Sequence, residues 1–290
     1  MSALHSVDIP LLIRFEQSLH VGTGQGDGLV DRAIRRTADG QPYVPASALK
    51  GALRQTAQRL VRQLDAAASF GDIAPEQHLG YRHRGDTVVP ERCVAPHAET
   101  MCKSASPCLL CRVFGNAYTG RRLVVDDATA ISSPETRSQQ ALLRALEERG
   151  SGVTWDGAAE GATETITRLQ MDRRRLGAKS GALFTTEYAR AQSAFEGRLA
   201  GSIPCTPLQN GDADGQPAEL VLLAAALRAT DQIGGEASSG RGACRIAVPN
   251  GSEAGDGPTL DVGNQSYDMD ALLAPDVIKA LRWGAIEGNL

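Results

Sequence analysis

The sequence predicts an α+β fold built on a ferredoxin-like sheet with insertions. Two observations point to it. The residue pattern reads, in chain order, as strand, helix, strand, helix, strands, helix, strand. Hydrophobic residues make up 42% of the chain, enough for a core, while aromatics are only 4%, so that core must rest on Leu, Val, Ile and Ala. No repeat of fixed period is present, and 290 residues suit one large domain or two small ones.

The elements follow in order. Residues 7–16 (VDIPLLIRFE) read as a strand, and residues 20–28 (HVGTGQGDG) are a glycine-rich loop. After Pro45, residues 47–65 form a helix: Leu49, Leu53, Leu60, Val61 and Leu64 recur at helical spacing, and Ser47 can cap the first turn. Residues 66–92 read as irregular and charged, and residues 93–111 hold a Cys/His cluster. A short strand is expected at 122–127 and a helix at 134–149, with Pro134 at its start. A Gly/Ala-rich linker covers 150–163. Residues 164–171 and 194–204 read as strands with basic, glycine-containing sequence between them. An apolar helix spans 217–230, a second glycine-rich loop 234–242, and a strand 243–248. Residues 249–265 are polar and poor in structure signals, and a terminal helix is expected over 268–283.

Net charge is -4 and the pI is about 5.8, so any attraction to a polyanion must come from local clusters rather than overall charge. The N-terminus lacks a signal-peptide pattern. The longest apolar stretch, Ala218 to Ala229, is interrupted by Glu219 and Arg228 and is too short to span a bilayer. A cytoplasmic location is therefore expected.

Several clusters carry chemistry. Lys50 and Arg54 are four apart and share a helix face. With Ser47 and the free N–H groups of the first turn, they could form a phosphate site. Arg32, Arg35 and Arg36 add charge upstream. Arg168, Arg173, Arg174, Arg175 and Lys179 form a second basic cluster where a protruding hairpin is plausible. In the first glycine loop Gly22 and Gly24 permit close approach of a ligand to the backbone. In the second, Gly234, Gly235, Ser238, Ser239, Gly240, Arg241 and Gly242 can form an anion-binding nest.

His97, Cys102, Cys108 and Cys111, with four, five and two residues intervening, suit a closed tetrahedral structural Zn2+ site. Cys93 could replace His97. Cys205 and Cys244 read as ordinary core residues. His5, His20, His78 and His83 have no evident partner. No Ser-His-Asp, Rossmann or P-loop arrangement is legible.

The stretch His20 to Arg54 (HVGTGQGDGLVDRAIRRTADGQPYVPASALKGALR) resembles the first conserved block of RAMP proteins, above all the backbone subunits of type III CRISPR complexes. Three further blocks follow in the family's order. Cys108-Leu-Leu-Cys111-Arg-Val-Phe-Gly115 is similar to its Cys-x-x-Cys-x-x-Phe-Gly segment. Met171-Asp-Arg173, through Ala178 to Phe184-Thr-Thr-Glu187 and Phe195-Glu-Gly, is similar to the segment carrying its thumb hairpin. Ile233 to Gly242 looks like its C-terminal glycine loop. The blocks lie between residues 7 and 248. Ala46, Ala48 and Glu236 depart from the pattern; Glu236 stands where basic or small residues are usual.

The resemblance implies a modified ferredoxin-like, RRM-like RAMP fold over residues 1–250. It places a zinc-binding insertion within 66–120, a thumb hairpin at about 164–194, and a C-terminal extension at 251–290. It implies a cytoplasmic subunit that binds CRISPR guide RNA, pairs with target RNA, assembles with other RAMP subunits and has no membrane partner. Asp31, after the glycine loop and before the basic stretch, is implied as the catalytic residue of a metal-dependent endoribonuclease. It would act as general base or hold a divalent cation, taken as Mg2+. A non-catalytic RNA-binding subunit of the same complex is the first alternative. A zinc-stabilised enzyme acting on a small phosphorylated ligand is the second.

Overall fold

A computed structural model describes residues 4–67, 81–84, 87–93, 101–103, 107–118, 120, 122–131, 136, 139–140, 143, 163–172, 174, 176–208, 215–250 and 257–284. The centre is an antiparallel sheet whose two middle strands are β1 (Leu4–Phe15) and β9 (Ala194–Pro204), paired from Leu4↔Pro204 to Arg14↔Ala194. The outer side of β9 pairs with β5 (Leu123–Val125) and β6 (Ala128–Ile131), and β6 pairs in turn with the two-residue β2 (Tyr43–Val44). The outer side of β1 pairs with β10 (Cys244–Ala247) near its C-terminal end and with β11 (Thr259–Val262) at Val7. With helix α1 (Ala46–Ala67) after β1 and the later helix Ala218–Ala229 between β9 and β10, the chain traces the βαββαβ path of a ferredoxin-like fold.

Period-two burial explains the central strands. Val7, Ile9, Leu11, Ile13 and Phe15 of β1 meet Phe195, Leu199 and Ile203 of β9 under the helices. On the opposite face Leu12, Ala194 and Ala247 cluster with Leu143. Farther along that face Arg198 of β9 forms a two-pronged pair with Asp8 of β1, at 2.6 Å for each nitrogen. In α1 the buried stripe is Leu49, Leu53, Ala57 and Val61 at four-residue spacing. Leu60 and Leu64, expected on it, are half-buried at its margin.

Residues 109–114 form a short helix, α2 (Leu109–Phe114), which the sequence reading had as part of the cysteine cluster. Helix α3 (Ala218–Ala229) is apolar on nearly every side because it is covered on every side: α1 and α2, β10, and the C-terminal helices all pack on it. The expected terminal helix is two, α4 (Met269–Leu272) and α5 (Pro275–Gly284). Pro275 has no amide proton and cannot continue a helix, so α4 ends at Leu272 and α5 starts on the proline.

Three hairpins complete the strands: one extends the central sheet through β11, and two are separate two-stranded sheets. β3 (Tyr81–Arg84) and β4 (Thr87–Arg92) pair within the segment read as irregular. β11, in the segment read as poor in structure signals, pairs with β12 (Gln265–Asp268), which bridges from that segment to the start of the expected terminal helix. β7 (Thr163–Asp172) and β8 (Gly177–Ala189) pair from Thr163↔Ala189 to Asp172↔Gly177, with a bulge between Leu169 and Met171. Of the helix expected over 134–149, Gln139, Gln140 and Leu143 are described and are helical; most of that segment and nearly all of the expected 150–163 linker lie outside the described residues. Among the described residues no helix is long and apolar enough to cross a membrane.

Candidate nucleic-acid interface and cysteine centre

The first glycine loop runs beside the base of the β7–β8 hairpin. Asp31 and Arg32 both donate their backbone N–H to the Thr185 carbonyl, at 2.9 and 3.2 Å, and Glu187 N–H donates to the Arg32 carbonyl at 2.9 Å. Asp31 is exposed. Its Oδ2 accepts the Thr185 N–H at 2.6 Å, and its other oxygen has no hydrogen-bond partner among the described residues. This single anchor fixes the carboxylate while leaving one oxygen open.

Carboxylates hold the surrounding arginines. Glu187 Oε2 accepts the Ile34 N–H at 3.1 Å, and its Oε1 pairs with Arg36. Arg36 also reaches Thr163 Oγ1 at 3.1 Å, tying loop to hairpin. Glu236, from the second glycine loop, accepts from Arg168 and from the Tyr188 hydroxyl, both at 2.8 Å, and lies 3.6 Å from Arg32. Burial pulls the Glu236 carboxyl upward, but the Tyr188 hydroxyl and Arg168 outweigh it and hold it below the usual carboxylate range. Burial, then the bond to Glu236, raises the Tyr188 phenol. Arg241 stacks 4.6 Å from the Tyr188 ring centroid and sits 3.7 Å from Glu164; Arg32 lies 5.4 Å from the Phe184 ring.

His20, given no partner in the sequence reading, is buried at the junction. Its Nδ1 bonds the Glu187 carbonyl at 2.8 Å, so the proton is on Nδ1, and its ring lies edge-on to Tyr188. Its own carbonyl accepts the Gly235 N–H at 2.9 Å, joining the two glycine loops. The glycines there are required. Gly234 has φ +95, and a Cβ on it would sit 2.7 Å from the His20 carbonyl oxygen. Gly242 has φ +73, and a Cβ would come within 2.0 Å of the Ile233 carbonyl oxygen. Gly242→Ala is therefore expected to cost at least about 1–3 kcal/mol, read as a lower unfolding midpoint, with loss of the docked loop. An unchanged melting curve contradicts that placement.

A groove of about 350 Å³ opens where these loops meet α1, lined by His20, Val21, Gly22, Ala48, Ala52, Gln55, Gln232, Gly234 and Gly235. Small residues on the helix and glycines on the loops make it. The structure corrects the expected share of α1. Two residues along a helix is about 200° of rotation, so Lys50 and Arg54 lie opposite Ala48 and Ala52. Lys50 Nζ donates to the Leu123 carbonyl at 2.5 Å, and Arg54 turns to the cysteine segment. The expected Ser47 cap is also corrected. Pro45 accepts the first helical N–H bonds, Asp127 Oδ1 takes the Ala46 N–H at 2.7 Å, and Ser47 is an exposed first-turn residue.

Among the other expected contacts, Arg35 is exposed and its N–H donates to Val21. Gly24 and Gly240 have positive φ at open turns, and Ser238 and Ser239 lie in a 3-10 turn at 237–239. Arg174 and Lys179 are exposed near the hairpin tip, beside exposed Leu169, Met171, Leu176 and Leu183. Arg173 and Arg175 lie outside the described residues.

Away from the groove, Cys93, Cys102, Cys108 and Cys111 are buried, free of disulfides, and bring their sulfurs within 4.8 Å of one another. Cys93, the alternative to His97 in the sequence reading, supplies the fourth thiol; His97 lies outside the described residues. A tetrahedral tetrathiolate zinc site has sulfurs roughly 3.8 Å apart, given Zn–S bonds of about 2.3 Å. The Cys93–Cys111 separation of 3.4 Å is close to that, so the set fits a structural zinc ion. Sulfur hydrogen bonds favour the thiolate at Cys111 and at Cys102, the latter to about 7, and hold Cys93 and Cys108 as thiols, the proton-sharing of four crowded sulfurs. Burial pushes the Cys205 thiol up to about 11 and that of Cys244 to about 12, in keeping with unreactive roles. Among the described residues these four cysteines are the one cluster of three or more potential metal ligands, so Asp31 belongs to no such cluster.

The architecture is that of a ferredoxin-like chain with an arginine-bearing hairpin, two interlocked glycine loops and a tetrathiol centre. A family model for the RAMP superfamily matches residues 12–245, and the chain belongs to that superfamily. No curated protein matches the sequence significantly. Two similar solved chains come from the type III-B Cmr-beta complex, one in the assembly bound to cognate target RNA and one in the apo state. Each is 14% identical with a TM-score of 0.46 over 83% of this chain, covering 96% and 97% of those chains respectively.

Proposed function

We propose that the chain is a guide-RNA-binding backbone subunit of a type III CRISPR effector complex and that Asp31 cuts the guide-matched target RNA. The observation that carries the reading is that both glycine loops and the small-residue face of α1 line one groove, with the hairpin base bonded to the first loop beside it, in a chain of the RAMP superfamily. The hairpin is read as the thumb, with Arg174 and Lys179 toward the guide–target duplex and other RAMP subunits alongside. Backbone N–H groups and arginines would track phosphates, and base pairing with the guide would choose the target.

In the cutting step the free oxygen of Asp31 takes the proton of a target ribose 2′-hydroxyl. The 2′-oxygen forms a bond to the adjacent phosphorus as the bond to the 5′-oxygen breaks, and the 5′-oxygen takes a proton from water, leaving a cyclic phosphate and a 5′-hydroxyl. A divalent cation such as Mg2+ would steady the charge on the phosphate and take its remaining ligands from RNA, because Asp31 has no companion ligands among the described residues. A second reading, a subunit that binds RNA without cutting, is favoured by Asp31 standing outside any cluster of three potential metal ligands among the described residues.

RNA is expected to co-purify with the chain at low ionic strength, give a spectrum dominated by nucleic acid, and dissociate log-linearly as salt rises. A nucleic-acid-free chain at low salt, unable to bind added RNA, contradicts both readings and favours a small-ligand protein.

A further inference from the structure

Arg54 faces away from the groove and toward the cysteine centre. Its Nη1 donates to the Gly115 carbonyl at 2.8 Å, and its Nη2 approaches Cys111 Sγ at 3.7 Å. The guanidinium lies 5.9 Å from the centroid of the Phe114 ring. Carbonyl and ring fix the plane of the fork, so the second nitrogen is aimed at the sulfur. Two neighbouring cations are engaged elsewhere. Arg112, next in the chain to Cys111, pairs with Glu219 at 3.2 Å, and Lys103 lies over the Tyr118 ring.

Four thiolates around a divalent ion leave a net charge of about -2, and N–H donors to the sulfurs tune such sites. We infer that Arg54 is a positioning residue of the cysteine centre: it holds Cys111 Sγ through an N–H···S hydrogen bond, offsets part of the tetrathiolate charge, and links α1 to that centre. The inference rests on reading the four cysteines as a metal site. It assigns Arg54 to metal rather than to RNA. A lysine in its place keeps the charge but cannot span the carbonyl and the sulfur at once, because the two-nitrogen fork is what bridges them.

The test uses the full chain and its Arg54→Met and Arg54→Lys variants, titrated with zinc against a competing chelator, then reloaded with Co2+ for absorption spectroscopy. Arg54→Met is expected to weaken zinc binding about 10–100-fold. The sulfur-to-cobalt charge-transfer band should move to lower energy, since the thiolate loses a donor that stabilises its lone pairs. Arg54→Lys should lose less affinity and shift the band in the same direction, and it carries the test alone if Arg54→Met does not fold. A merely structural role would lower the melting temperature without moving the band. Zinc affinity and band position that stay as in the parent overturn the role of Arg54 while leaving the metal centre standing, and so does a variant that loses only RNA binding. A parent chain that takes up neither zinc nor cobalt overturns both.

Discussion

Asp31→Ala in the assembled complex is expected to cut matched target RNA about 10²–10⁴-fold more slowly, the usual contribution of a positioned general base. Guide RNA should bind as well as before or slightly better, because a negative charge beside the phosphates is gone. The geometry makes a second variant informative. Asp31 Oδ2 accepts the Thr185 N–H, and the amide oxygen of Asp31→Asn can do the same, so that variant keeps the loop docked on β8 while removing the base. Both variants should fail to cut. Wild-type cleavage by both, in an assay supplied with Mg2+, would reduce Asp31 to a turn residue and leave the non-cutting reading.

The largest stability effect is expected at Glu219. It is fully buried in α3, accepts from Thr206 N–H and Oγ1 at 2.8 and 2.9 Å, and pairs with Arg112 of α2. Because Arg112 follows Cys111, this pair fastens the cysteine segment to the core helix. Glu219→Ala removes the carboxylate that pairs with the buried Arg112 guanidinium and accepts from the half-buried Thr206 hydroxyl. Losing one member of a buried pair costs about 3–5 kcal/mol, a fall in melting temperature of roughly 6–20 °C for a domain of this size. Glu219→Gln keeps an acceptor for Thr206 and should lose less. Equal melting of both variants and the parent contradicts the latch.

Long, periodic elements were legible in the sequence: α1, α3 and the central strands fall within a few residues of where their patterns place them. Short pairings were not. β11 and β12 have four residues each, too few for alternation to stand out from their polar surroundings, yet Gly263–Asn264 between them is a two-residue hairpin signal. β8 was obscured because its outer half, where Leu183 is exposed, carries little apolar alternation.

At the site, residue types were read more successfully than partners. The glycine loops and the Cys108–Cys111 turn are spacing signals and were found. The inward turn of Arg54, the capping of α1 by Asp127 and the junction role of His20 depend on contacts across 61, 81 and 167 residues respectively, and spacing carries no trace of them. Glu236, noted in the sequence only as a departure from the family pattern, is the acid that binds Arg168, Tyr188 and Arg32 together. Its signal was there: an acidic residue placed where cations cluster calls for a partner.

The most direct measurement is a cryo-EM structure of the chain with the RNA it carries. The account predicts a strand lying over Gly22, Gly234 and Ala48, with the free Asp31 oxygen beside a ribose 2′-hydroxyl of the paired target. RNA seated instead across the far sheet face, around Asp8 and Arg198, with the glycine groove bare, contradicts it.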